Sequence, residues 1–235
     1  MSNQDNLKYI RQYFEDNRGN YASAVAELTE DVDGFFAEVK VTFESMLPHM
    51  GYLDEDKRQH VFASAVLSCS LNMALALACQ KRGVSLHEYG SEMLNGLTAL
   101  LKHQQIPEGQ NESTEEENTE DFVRFANAAE QSQNSAKPGE FVFEAVSGEG
   151  EDFKWGQNIK SCAICYMASK YDVMELVPYF CATDDLISDH RRQGLNRSGT
   201  IALGAGHCDF RYGTGDKARH LSGLYPDRIR LTEES

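Results

Sequence analysis

Apolar residues recur at three- and four-residue spacing through the first hundred positions, and that period belongs to helices. Leu7, Ile10, Tyr13 and Phe14 form one stripe; Phe35, Phe36, Val39, Phe43, Met46 and Leu47 form another, closed by Pro48 and Gly51. A more uniformly apolar helix is predicted from about Glu55 to Lys81, with Gly83 as its stop. A further helix runs from about Ser85 to Lys102 on Leu86, Tyr89, Met93, Leu94, Leu97 and Leu101. No internal repeat is present, and residues 1–103 read as one helical region.

The pattern then breaks. Gln104 to Thr119 is Gln, Asn, Ser and a block of glutamates, with little to bury, and reads as a loop or disordered linker. A short amphipathic helix is expected on Phe122, Phe125, Ala126 and Ala129, and a polar patch from Gln131 to Gly139 closes this 104–139 segment. After Gly139 the period shortens to two. Phe141, Phe143 and Ala145 alternate with Val142, Glu144 and Val146, Gly148 to Gly150 turns the chain, and Phe153, Trp155 and Ile159 fit a partner strand. Cys162 to Lys170 and Pro178 to Arg191 are predicted helical. Thr200 to Leu203 and Cys208 to Tyr212 are predicted extended, with turns or bulges at Gly199, Gly204 and Gly206. The expected class is α+β: a helical N-terminal half, then β-hairpins packed with two helices over 140–235.

Composition narrows the function. The 235 residues suffice for a proper core, and a formal charge of −15 argues against nucleic acid and against an anionic membrane surface. Val61 to Cys79 carries no charge, yet its Ser64, Ser68, Ser70 and Asn72 make it a poor membrane span and a better central core helix. The start Met-Ser-Asn-Gln-Asp lacks a signal-peptide pattern, and six cysteines in a chain of this length do not make a disulfide scaffold. The expectation is a cytoplasmic protein with reduced thiols.

Those thiols carry the candidate chemistry. Cys69 and Cys79 sit among apolar neighbours and read as small core residues. Cys162 and Cys165 form a Cys-x-x-Cys, Cys181 stands three residues before Asp184, and Cys208 follows a glycine-rich turn. Three uses are open: Cys162, Cys165, Cys181 and Cys208 holding zinc, another divalent metal or an iron–sulfur cluster; a Cys162–Cys165 redox pair; or one catalytic thiolate with the other thiols around it. Strand alternation puts Cys208, Phe210 and Tyr212 on one face and Asp209 with Arg211 on the other. Cys208 and Arg211 would reach one ligand only if a bulge between Gly204 and His207 re-aimed the strand. Otherwise Asp209 and Arg211 make a surface ion pair and His207 is an exposed histidine.

Three stretches resemble the L-2-amino-thiazoline-4-carboxylic acid hydrolase family: Ser-Cys-Ala-Ile-Cys at 161–165, Glu-Leu-Val-Pro-Tyr-Phe-Cys-Ala-Thr-Asp at 175–184, and Arg-Ser-Gly-Thr-Ile-Ala-Leu-Gly-Ala-Gly-His-Cys-Asp-Phe-Arg-Tyr at 197–212. Ala163 departs from the proline that family members often carry after the first cysteine. The resemblance implies hydrolysis of a non-peptide carbon–nitrogen bond in a small cyclic amidine-type substrate, such as a 2-aminothiazoline ring opening to a carbamoyl cysteine. It further implies Cys208 as nucleophile or metal ligand, Asp184 or Asp209 as acid/base, Arg211 as carboxylate anchor, and Cys162 and Cys181 as pocket thiols. Arg197 and Thr200 match the family strand without an implied role.

Overall fold

The computed structural model describes residues 3–54, 57–104, 115–213 and 218–231. Its N-terminal half is helical: α1 (Asn3–Asn17), α2 (Ala22–Leu28), α3 (Val32–Ser45), α4 (Ala63–Gln80) and α5 (Leu86–His103). Each helix follows from a stripe and a punctuation mark. Asp31 caps α3 by accepting the Gly34 N–H at 2.9 Å, and a reciprocal Ser85–Glu88 capping box opens α5. Helix α4 starts later than the apolar composition suggests, because residues 57–62 turn tightly, with the His60 N–H bonded to the Lys57 carbonyl at 2.9 Å. It is apolar all round and long enough to cross a membrane by length and composition, and 67% of it is buried inside the protein. It is the central core helix.

The linker expected over 104–119 lies outside the described residues at 105–114. From Glu115 the chain is helical, and α6 (Glu115–Ser135) extends well beyond the short helix read from its apolar residues. Its C-terminal turns pack on the sheet, where the Ser132 hydroxyl contacts both the N–H and the carbonyl of Phe143 at 3.2 and 3.3 Å.

The remainder is α+β. Strands β1 (Val142–Ser147), β2 (Trp155–Ser161) and β3 (Cys208–Tyr212) form an antiparallel sheet in the order β1-β2-β3, with one irregularity at Val142/Phe143. Helices α7 (Ala163–Lys170) and α8 (Val177–His190) separate β2 from β3, and a short α9 (Leu221–Leu224) follows. The 200–203 stretch differs from expectation. Thr200 is extended, but Ile201–Leu203 form a 3-10 turn capped by Gly204 at φ +96, so β3 pairs with β2 and makes no second hairpin. Gly204 supplies the left-handed conformation that a side chain would resist.

One apolar cluster runs through both halves and includes Ile10, Phe14, Phe36, Leu71, Phe143, Leu176 and Phe210. Helices α5 and α8 approach closely because Gly90 leaves room for the Tyr179 ring, whose Cγ would stand 2.4 Å from a Cβ at that position. Tyr179 is in turn fixed by the Arg230 N–H at 2.9 Å.

Candidate functional site

Between the sheet, α4, α7 and α8 lies a cavity of about 270 Å³. Each wall follows from a local periodicity. The pleat of β2 and β3 turns Gln157, Ile159, Cys208, Phe210 and Tyr212 inward. On α4, Phe62, Ala65 and Cys69 share a face at three- and four-residue spacing, as do Val177, Phe180, Cys181 and Asp184 on α8. Cys162, the N-cap of α7, closes one side, while Phe125 and Phe141 close the top. Asp184 lies deep in the protein yet keeps 42% of its side-chain surface uncovered, and it faces the cavity.

Arg197 stands behind Asp184 and is completely covered. Its guanidinium donates to Asp184 Oδ2 at 3.1 Å, to Asp185 Oδ1 at 2.6 Å and to the Cys181 carbonyl at 2.6 Å. It also lies 4.9 Å from the centroid of the Phe210 ring. Asp185 is 1% exposed and takes the Leu221 N–H at 2.8 Å. One cation therefore serves two carboxylates. Burial raises the pKa of both Asp184 and Asp185, and Arg197 only partly offsets it. Burial alone would lower the pKa of Arg197, but the two carboxylates outweigh it and raise the value.

The thiols are held in their neutral form. Burial pushes Cys208 up to about 12, against the pull of the Ile201 N–H that contacts its sulfur at 3.3 Å. The neighbouring Cys165 thiol and burial raise Cys162, while the Cys165 N–H bonds its sulfur at 3.4 Å and acts the other way. Burial raises Cys181 and Cys69 as well.

Of the residues singled out in the sequence, Cys162, Cys181, Asp184 and Cys208 come together here; Cys165, Asp209 and Arg211 do not line the cavity. Strand β3 pairs with β2 in regular register from Cys208 onward, so no bulge re-aims it. Asp209 and Arg211 lie on the outer face, and they do not form the surface ion pair expected there. Asp209 accepts the Ser198 hydroxyl at 2.7 Å and the N–H groups of Ser198 and Gly199 at 3.0 and 3.1 Å. Burial would raise its pKa, but these bonds outweigh it and lower the value. Arg211 donates to the Phe210 carbonyl at 2.8 Å and to Asn158 Oδ1 at 2.9 Å, and covers Phe153. His207 is half-buried rather than exposed. Among the described residues, no three His, Cys, Asp or Glu side chains are grouped to hold a metal ion.

Cys69, Gln157 and Arg197 are at the cavity or behind its wall without a site role in the sequence reading. Cys69 was read as inert because its sequence neighbours are apolar; its spacing from Phe62 and Ala65 was the available signal. Gln157, 3% exposed, lines the cavity with Oε1 unpartnered. Arg197 had no local signal, since its partners lie 12 and 13 residues away.

No curated protein and no solved structure matches the chain. The family model described as L-2-amino-thiazoline-4-carboxylic acid hydrolase matches residues 58–212, a segment that holds α4, the sheet, α7, α8 and every residue named in the cavity lining. The chain belongs to the L-2-amino-thiazoline-4-carboxylic acid hydrolase family.

Proposed function

We propose that the chain hydrolyses a carbon–nitrogen bond of a small cyclic amidine-type substrate, of the kind the family name specifies, inside the cavity lined by Cys208 and Asp184. The observation that carries this reading is the convergence of Cys162, Cys181, Cys208 and Asp184 on one cavity within the family-matched segment. An amidine carbon is electrophilic and suits a sulfur nucleophile. Burial disfavours the Cys208 thiolate, so its proton must leave as sulfur attacks. Asp184 bears on it electrostatically, and its raised pKa makes it a better proton acceptor than an ordinary carboxylate. The same proton then goes to the departing ring nitrogen. Water cleaves the sulfur–carbon bond of the resulting intermediate and returns the thiol. Arg197 positions Asp184 through the hydrogen bond to Oδ2.

The test is carbon-13 NMR of purified protein with 2-aminothiazoline-4-carboxylate and with 2-aminothiazoline. Carbon–nitrogen opening leaves a thiocarbamate and a free amine, whereas carbon–sulfur opening frees a thiol and leaves a urea. The thiocarbamate is expected from at least one of the two, with loss of turnover in Cys208→Ala and Asp184→Asn. An unchanged rate in both variants, or no turnover by the wild type, contradicts the reading.

A further inference from the structure

Resting on that reading of the cavity, we propose that the site recognises its ligand as a cation, an amidinium head set against Asp184, and offers no anchor to a substrate carboxylate. Among the described residues lining the cavity, Asp184 is the only charged side chain. The cation beside it, Arg197, is behind the wall, its terminal nitrogens committed to Asp184, Asp185 and the Cys181 carbonyl, and its unpartnered Nε–H belongs to a residue that does not line the cavity. Two carboxylates around one guanidinium leave an excess of negative charge when both are ionised. Arg211, the planar fork that could hold a carboxylate, is on the other side of the sheet and bonded to Phe210 and Asn158.

The hydrogen-bonding inventory points the same way. Gln157 is nine-tenths buried or more, lines the cavity, and leaves Oε1, an acceptor, without a donor. The Thr183 hydroxyl, a donor that a carboxylate could use, is already given to the Phe180 carbonyl at 2.7 Å. The Gln157 acceptor and the Asp184 carboxylate fit a ligand rich in N–H groups, and an amidinium presents such groups along a planar edge. The rings of Phe62, Phe125 and Phe210 among the walls offer no donor to an anion. A bound cation would also favour the thiolate of Cys208, which burial disfavours in the empty site.

Equilibrium binding by calorimetry on the full chain carrying Cys208→Ala separates charge preference from turnover. Three probes suffice: 2-aminothiazoline, with the amidine alone; 2-aminothiazoline-4-carboxylate, with both groups; and 2-oxothiazolidine-4-carboxylate, with the carboxylate alone. The expected order is the amidine at least as tight as the doubly substituted compound, and no binding of the oxo acid. Adding Asp184→Asn, with the fold checked by circular dichroism, should weaken the amidine about tenfold or more, the loss of one charge-assisted contact. Tighter binding of the oxo acid, no binding of any probe, or an unchanged affinity in Asp184→Asn would overturn the proposal. Binding in the expected order without wild-type turnover would retain it and remove the hydrolase reading. Turnover with preference for the carboxylate would do the reverse.

Discussion

Asp184 and Asp209 lie on opposite sides of β3 and are pushed in opposite directions. Asp184 faces the cavity between the sheet and α8, where burial raises its pKa despite Arg197. Asp209 faces outward, where burial is outweighed by the Ser198 hydroxyl and two backbone N–H groups, and its pKa falls. The lesson is in the donors. A carboxylate with three donors aimed at it is a structural clasp, fixing the 196–200 segment onto the strand. A carboxylate with one shared guanidinium and free surface is poised to exchange a proton or meet a ligand. Cys208 and Arg211 divide in the same way, three residues apart on one strand.

The largest effect that would sharpen this contrast is on the inner side. Arg197→Ala strands Asp185, which is 1% exposed, and should cost about 3–5 kcal/mol of stability. Urea denaturation checks it, and a loss below about 1 kcal/mol would show that the carboxylates neutralise or find other partners. On the outer side, Asp209→Ala releases three donors and should cost about 1–3 kcal/mol while leaving the cavity intact, measured by the same unfolding curve.

Titration should separate the two faces by sign. Because Asp184's folded pKa is raised, its contribution favours the fold at low pH and is lost as pH rises through that value. Asp184→Asn should therefore gain melting temperature relative to wild type as pH rises from about 4. Asp209's folded pKa is lowered, so its contribution is present above the ordinary carboxylate value and lost as pH falls through the folded one. The deficit of Asp209→Asn should be full at neutral pH and shrink on acidification. Parallel pH dependence in the two variants would break the comparison. The smallest effect is expected for Arg211→Ala, about 1 kcal/mol of stability from its lost hydrogen bonds, with KM unchanged.

Much of this arrangement could be read before the fold was known. Strand alternation alone put Cys208 opposite Arg211, and the apolar stripe that begins at Leu86 marked α5. What escaped were features set by distant partners. Ile201, Ala202 and Leu203 look like a strand by composition, and only the left-handed Gly204 and the packing around it make them a 3-10 turn. Cys69 joins the site because α4 packs against the C-terminal elements, a relation that its own apolar neighbours conceal. Arg197 counts because it is buried against two carboxylates of α8, and nothing in its immediate sequence announces burial.

The most direct measurement is kcat/KM for ring opening in Cys208→Ala beside Arg211→Ala, each with its melting temperature. Loss of roughly 10³-fold or more for Cys208→Ala, at a stability cost of about 1–2 kcal/mol, with Arg211→Ala near the wild-type rate, is the predicted result. Near-normal turnover in Cys208→Ala together with a raised KM in Arg211→Ala would put the chemistry on the outer face of the sheet and contradict the account.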